Sequence, residues 1–171
     1  MTTERSGRYL AGPAALSPTM TIRTRLEDTI VRSSVETSLL VVSDSHIGSM
    51  LATEIDAVRT HLVTDSSAVA AQTPDSVRTT VGDVTVAETL ASGADATAAV
   101  VALQRDRQAL LVAQLLRTKV DTDTLVVLLN DPSRRDLFDD IATFVVCVST
   151  CLSAELRNTL EQTLSEPLSH S

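Results

Sequence analysis

The residues best equipped for chemistry lie at the end of the first long apolar run, where Ser43, Asp44, Ser45 and His46 put two hydroxyls, a carboxylate and an imidazole side by side. A nucleophilic triad is one way to read them. Its members usually come from distant segments, because neighbours on one loop rarely reach the required geometry. A phosphate-cradling turn is the other reading. In a dinucleotide fingerprint, G-x-G-x-x-G, the first glycine allows the tight turn, the second lets backbone amides approach the pyrophosphate, and the third lets the helix pack on the sheet. The three slots here hold Ser43, Ser45 and Gly48. Only the packing glycine is present, and Asp44 adds a negative charge where the phosphate would lie. Asp65, with Ser66 beside it, follows a second apolar run 17 residues beyond Gly48. A carboxylate there accepts hydrogen bonds from an adenosine ribose and favours an unphosphorylated 2′-hydroxyl.

Other chemistry is thinly represented. His46 could donate to a phosphate or serve as a base, but no positioned partner is apparent. His61 and His170 form no cluster with metal-ligand spacing, and Cys147 and Cys151 lack further ligands, so both thiols read as free and buried. Neither a Walker A sequence nor G-x-S-x-G occurs.

The chain of 171 residues is long enough for one domain with a real core. With 43% hydrophobic residues but 2% aromatics, that core must be made of Val, Leu, Ile and Ala. The net charge is −8, with thirteen arginines and a single lysine, Lys119. Such a surface suits a halophile's salt-rich cytoplasm, although a GC-rich genome also exchanges Lys for Arg. It opposes a nucleic-acid partner, which demands a basic face. No apolar run approaches the roughly 20 residues of a membrane span, so no direct membrane insertion is expected. The start shows no signal core, and the cytoplasm is the expected location.

The elements that would hold these residues come next. Residues 1–20 read as a disordered arm. Residues 21–36 read as an amphipathic helix with Ile22, Leu26 and Ile30 on one stripe. Residues 37–164 form the domain, and 165–171 a tail. Within the domain, short β-branched runs at 38–42, 61–64, 77–81, 98–103, 124–129 and 144–148, of which the first, fourth and fifth are continuously apolar, alternate with helical stretches at 47–58, 66–72, 86–91, 106–119, 132–141 and 151–164. Strand–helix alternation, with those three strands buried on both faces, predicts an α/β, Rossmann-like, doubly wound parallel sheet of about six strands. Asp131 followed by Pro132 marks one helix start, and Ser149 or Thr150 would cap the last helix.

Two segments in this order, VGDVTVAETLASGADATAAVVAL (81–103) and LLNDPSRRDLFDDIATFVVCVSTCLSAEL (128–156), resemble the TrkA N-terminal or RCK (regulator of potassium conductance) domain family over about residues 38–164. Its corresponding patterns are G-D-A-T…A-D-A-V-I-A and V-N-D-P…L-F…A-A-E-L. The resemblance implies a Rossmann domain, usually dimeric, that binds NAD(H) or an adenine nucleotide and reports it to a potassium channel or transporter. It thus implies a non-catalytic regulatory role, with Gly82, Asp83 and Thr85 of G-D-V-T joining the nucleotide contacts. The candidate set becomes Ser43, Asp44, Ser45, His46, Gly48, Asp65, Ser66, Gly82, Asp83, Thr85 and Gln104. Departures are as definite. The family's T-x-D-D-x-x-N stretch reads Thr-less here across 103–109 and keeps only Asp106, and an arginine before N-D-P is Leu128. Arg105 and Arg107 read either as a solvated helix start or as guanidiniums replacing that arginine. The short stretch after Leu164, SEPLSHS, shows no ligand-sensing second half, so a stand-alone domain is the expectation. The alternatives are a Rossmann scaffold without nucleotide that acts in protein–protein interaction, and a small NAD-dependent oxidoreductase.

Overall fold

A computed structural model describes residues 37–55, 58–120 and 122–165. The arm, the amphipathic helix over 21–36 and nearly all of the tail lie outside the described residues. Six strands alternate with helical segments: β1 (Ser38–Ser43), α1 (His46–Glu54), β2 (Arg59–Thr64), α2 (Ser67–Gln72), β3 (Arg78–Val81), α3 (Ala87–Leu90), β4 (Ala98–Ala102), α4 (Asp106–Leu115), β5 (Thr124–Leu129), β6 (Phe144–Cys147) and α5 (Val148–Ser165). Two 3-10 segments, Ala91–Gly93 and Pro132–Phe138, and a π-turn, Leu116–Val120, complete the order.

All pairings are parallel and the strand order is β3-β2-β1-β4-β5-β6. The two half-sheets diverge from the β1–β4 pair, so the crevice at their carboxyl ends is where ligands bind in folds of this kind. The central strands are apolar at nearly every position because helices cover both faces. On one face Leu40, Val42, Val101 and Val127 pack with Ala109, Val112, Leu116 and Phe138 of the α4 side. On the other, Leu39, Val41, Leu62 and Val100 pack with Ala52 and Val69 of α1 and α2. Gly93 fits because a side chain there would meet Leu40 Cδ1 at 2.5 Å.

Some local details differ from the sequence expectation. The segment after Asp131–Pro132 is a 3-10 helix, although Asp131 does cap it by accepting from Ser133 N. The last helix starts at Val148, ahead of the expected cap. Ser149 Oγ donates instead to the Asn130 carbonyl at 3.2 Å and lies 3.2 Å from Cys147 Sγ. Cys147 is buried, as expected, but Cys151 only partly so. The π-turn is held by Arg117, whose guanidinium donates to the carbonyls of Ile141 and Thr122 and to Thr143 Oγ1, at 2.6, 2.6 and 2.8 Å.

Candidate functional site

The loop leaving β1 is closed from beneath by Ser43. This residue is fully buried, and its Oγ donates to the Ala102 carbonyl at 2.9 Å while accepting from Ser45 N at 3.3 Å. The hydroxyl holds the tight turn that a fingerprint glycine would otherwise allow, and it stitches β1 to β4. A side chain at Gly48 would lie 2.1 Å from Ser43 Cβ. The glycine is therefore the condition for α1 to seat on the strand end. Asp44 turns across the crevice, and its two oxygens accept from Gln104 N at 3.1 and 3.2 Å. Burial raises its pKa against the lowering effect of that amide bond, and the nearby Asp65 carboxylate pushes the same way as burial. Ser45 stands at the N-cap of α1 without a side-chain capping bond, and His46 is exposed.

Asp65 is exposed at the exit of β2 and takes no hydrogen bond among the described residues. Ser66 caps α2, its Oγ accepting from Val69 N at 3.3 Å. Gly82 N donates to the Thr64 carbonyl at 2.9 Å, fixing the exit of β3 beside that of β2. Asp83 accepts from Thr85 N and Thr85 Oγ1 at 2.8 and 2.6 Å, and these bonds hold its carboxyl below the usual range. The G-D-V-T stretch thus builds a turn whose polar groups mostly satisfy one another.

At the exits of β4 and β5 the organising group is Asp106. It is buried, and its carboxylate accepts from Asn130 N, Asn130 Nδ2 and Asp131 N at 2.9, 3.0 and 3.0 Å. Asn130 Nδ2 also donates to the Leu103 carbonyl at 3.0 Å. The N-D-P run is therefore a joint between α4 and β5. Ser133 bonds hold the Asp131 carboxyl below its usual range, and Arg134 Nε lies 3.4 Å from it. Beside the joint opens a cleft of about 740 Å³ lined by Thr85, Gln104, Arg105, Asp106, Arg107, Gln108, Leu111, Asp131 and Arg134.

The structure thus brings Asp44, Asp65 and Gln104 to one crevice, and Thr85 and Gln104 to one cleft. The side chains of Ser43 and Ser66 serve the backbone. Arg134 escaped the sequence reading, although its position three residues after Asp131 in a capped turn was a usable signal. His61 lies apart on β2, with Nε2 2.8 Å from Thr80 Oγ1. Burial lowers its pKa, with Arg78 adding to the shift. Among the described residues no group of His, Cys, Asp and Glu could hold a metal ion, and no helix is long and apolar enough to cross a membrane.

Parallel order, a glycine-seated first helix and a carboxylate after β2 define a Rossmann-like α/β domain. No family model and no curated protein matches the sequence. Solved structures do. The NAD(P)-binding domain of an exopolyphosphatase-related protein from Archaeoglobus fulgidus superposes with a TM-score of 0.63 at 18% identity, over 72% of this chain and 97% of that one. The RCK domain of GsuK gives 0.65 at 22% identity, over 83% of this chain and 32% of that one. The TrkA-N domain of the inner membrane protein YbaL from Escherichia coli gives 0.60 at 17% identity, over 78% and 100%. The fold is accordingly TrkA-N/RCK-like. This chain spans about a third of the GsuK chain it matches.

Proposed function

We propose that this chain is a regulatory domain, without catalysis, that senses an adenine nucleotide or NAD(H) and passes its state to a potassium channel or transporter at the cytoplasmic face of a membrane. The observation that carries the reading is Asp65, exposed and without a hydrogen bond at the β2 exit of an RCK-like crevice. One of the matched folds is a GsuK channel bound to NAD. The adenosine half of such a ligand fits, with Asp65 accepting from ribose hydroxyls. The phosphate half meets the Asp44 carboxylate at the β1 loop. Bound nucleotide would favour one arrangement of a homodimer, and that bias would shift the membrane partner by differential affinity.

Titrating the chain with NAD⁺, NADH, ATP, ADP and AMP in concentrated KCl, by calorimetry and thermal shift, tests this. Ligand at 100 times Kd would stabilise the fold by about 2.7 kcal/mol, and Asp65→Ala should reduce that gain. Silence with all five ligands would sink the sensor reading. The occupied Ser43 hydroxyl and the Asp44 charge favour a second reading in that event, a scaffold that acts only through protein contacts.

A further inference from the structure

The function proposed above leaves the cleft at the β4 and β5 exits without a role, and three arginines against two carboxylates line it. Arg105 and Arg107 are exposed, and Arg105 acts on the Asp44 carboxylate only through its charge. Arg134 reaches only Asp131, at 3.4 Å. The two carboxylates in the walls are already engaged. Asp106 accepts three N–H groups, and Asp131 accepts from the Ser133 amide and hydroxyl. The cations that line the opening beside Thr85, Gln104 and Gln108 are guanidiniums, which donate and never accept. The three guanidiniums outnumber the two wall carboxylates, in a chain whose net charge is −8. Planar forks of this type match phosphate oxygens two at a time. The volume of about 740 Å³ lies in the ordinary range for ligand sites.

We propose that this cleft binds an oligophosphate, with Arg105, Arg107 and Arg134 as its cations. Resting on the nucleotide reading, the inference assigns it the phosphate end of a nucleoside di- or triphosphate whose ribose is held at Asp65. The β1 loop offers the Asp44 carboxylate and no arginine or lysine, whereas in the cleft three arginines face two carboxylates that already accept N–H groups. The cleft sits beyond β1, and strands about 4.8 Å apart place the β4 exit roughly 10 Å from the β2 exit. A chain of phosphates spans such a gap, whereas a single phosphate on the ribose stops over β1. Triphosphates should therefore bind more tightly than monophosphates, and the preference should weaken with salt.

The test uses the full chain with ATP, AMP, adenosine and inorganic tripolyphosphate, in wild type, in Arg105→Gln/Arg107→Gln, in Arg134→Gln and in Asp65→Ala. Circular dichroism checks that each variant is folded. The expected result has two parts. The double arginine variant loses ATP and tripolyphosphate affinity by about tenfold or more while keeping adenosine within about twofold, and Arg134→Gln shows a smaller loss of the same kind. Asp65→Ala weakens ATP and adenosine but leaves tripolyphosphate unchanged. Tripolyphosphate binding that depends on the arginines, without binding of any nucleoside, would uphold the oligophosphate cleft and remove the nucleotide from it. ATP affinity that ignores all three arginines would overturn the cleft while leaving the sensor reading intact, and so would failure of tripolyphosphate to bind. Failure of every ligand would overturn both.

Discussion

Asp44 shows how a single residue changes the character of the crevice. Its pKa is raised by burial, so the folded state disfavours the carboxylate relative to the unfolded chain. Its protonated form contributes stability fully below the unfolded value near 3.8, and that contribution is lost as pH rises through the higher folded value. At neutral pH the charge is then a net cost, and Asp44→Asn, which still accepts from the Gln104 amide, should stabilise the fold. The gain is small because the group is partly exposed and screened, and it should close as pH falls toward the unfolded value. Urea denaturation of both proteins at pH 7.5 and 4.5 measures it; a variant less stable than wild type at pH 7.5 would refute this account. The sequence made Asp44 legible as a charge in a phosphate turn. It did not reveal Ser43 as the buried replacement for a glycine, because a hydroxyl's partner here, the Ala102 carbonyl, is 59 residues away along the chain. Asp106 was legible only as a leftover of a family pattern for the same reason, since its amide donors lie on the far side of β5.

The elements were far more legible than the site, because strand burial on both faces writes itself as unbroken apolar runs such as Leu39–Val42 and Leu125–Leu129. Helix starts were less so. Tertiary bonds can take the capping side chain away, as the Asn130 carbonyl takes Ser149. The helix that stands out is α5. Leu152, Leu156, Leu160 and Leu164 recur every four residues and are 57, 55, 58 and 82% exposed. Residues four apart share a helix face, so α5 carries an apolar stripe that its own sheet leaves open. Such stripes mark interaction surfaces. The homodimer implied by the RCK-like reading would cover it. Leu156→Lys/Leu160→Lys places two charges in that stripe without touching the sheet core. Sedimentation at micromolar concentration should show a dimer in wild type and a monomer in the variant, with the thermal transition of the domain retained. A wild type that sediments as a monomer would remove the second copy from α5.

At the scale of the whole molecule, net charge and local charge pull in opposite directions, and salt separates them. A chain with a net charge of −8 and a single lysine repels itself when folded. The Debye length falls from about 10 Å at 0.1 M to about 3 Å at 1 M. Screening should therefore raise the melting temperature as KCl increases over that range, by several degrees for a domain of this size if relief of repulsion reaches about 1 kcal/mol. The arginine cleft behaves oppositely: its attraction for an anion is an exposed, screened interaction, so affinity for tripolyphosphate should fall across the same KCl range. Melting curves and calorimetric titrations from 0.1 to about 1 M KCl give both slopes on one sample. A flat or falling melting temperature would mean that the acidic groups are spaced widely enough not to repel, and the salt-adapted reading of the composition would go with it. A rising melting temperature together with a falling affinity would show a fold and a site tuned by opposite charges. A nucleotide sensor of this kind working in concentrated KCl would then have to draw its selectivity from Asp65 and the shape of the crevice, since the arginines alone would hold phosphate weakly there.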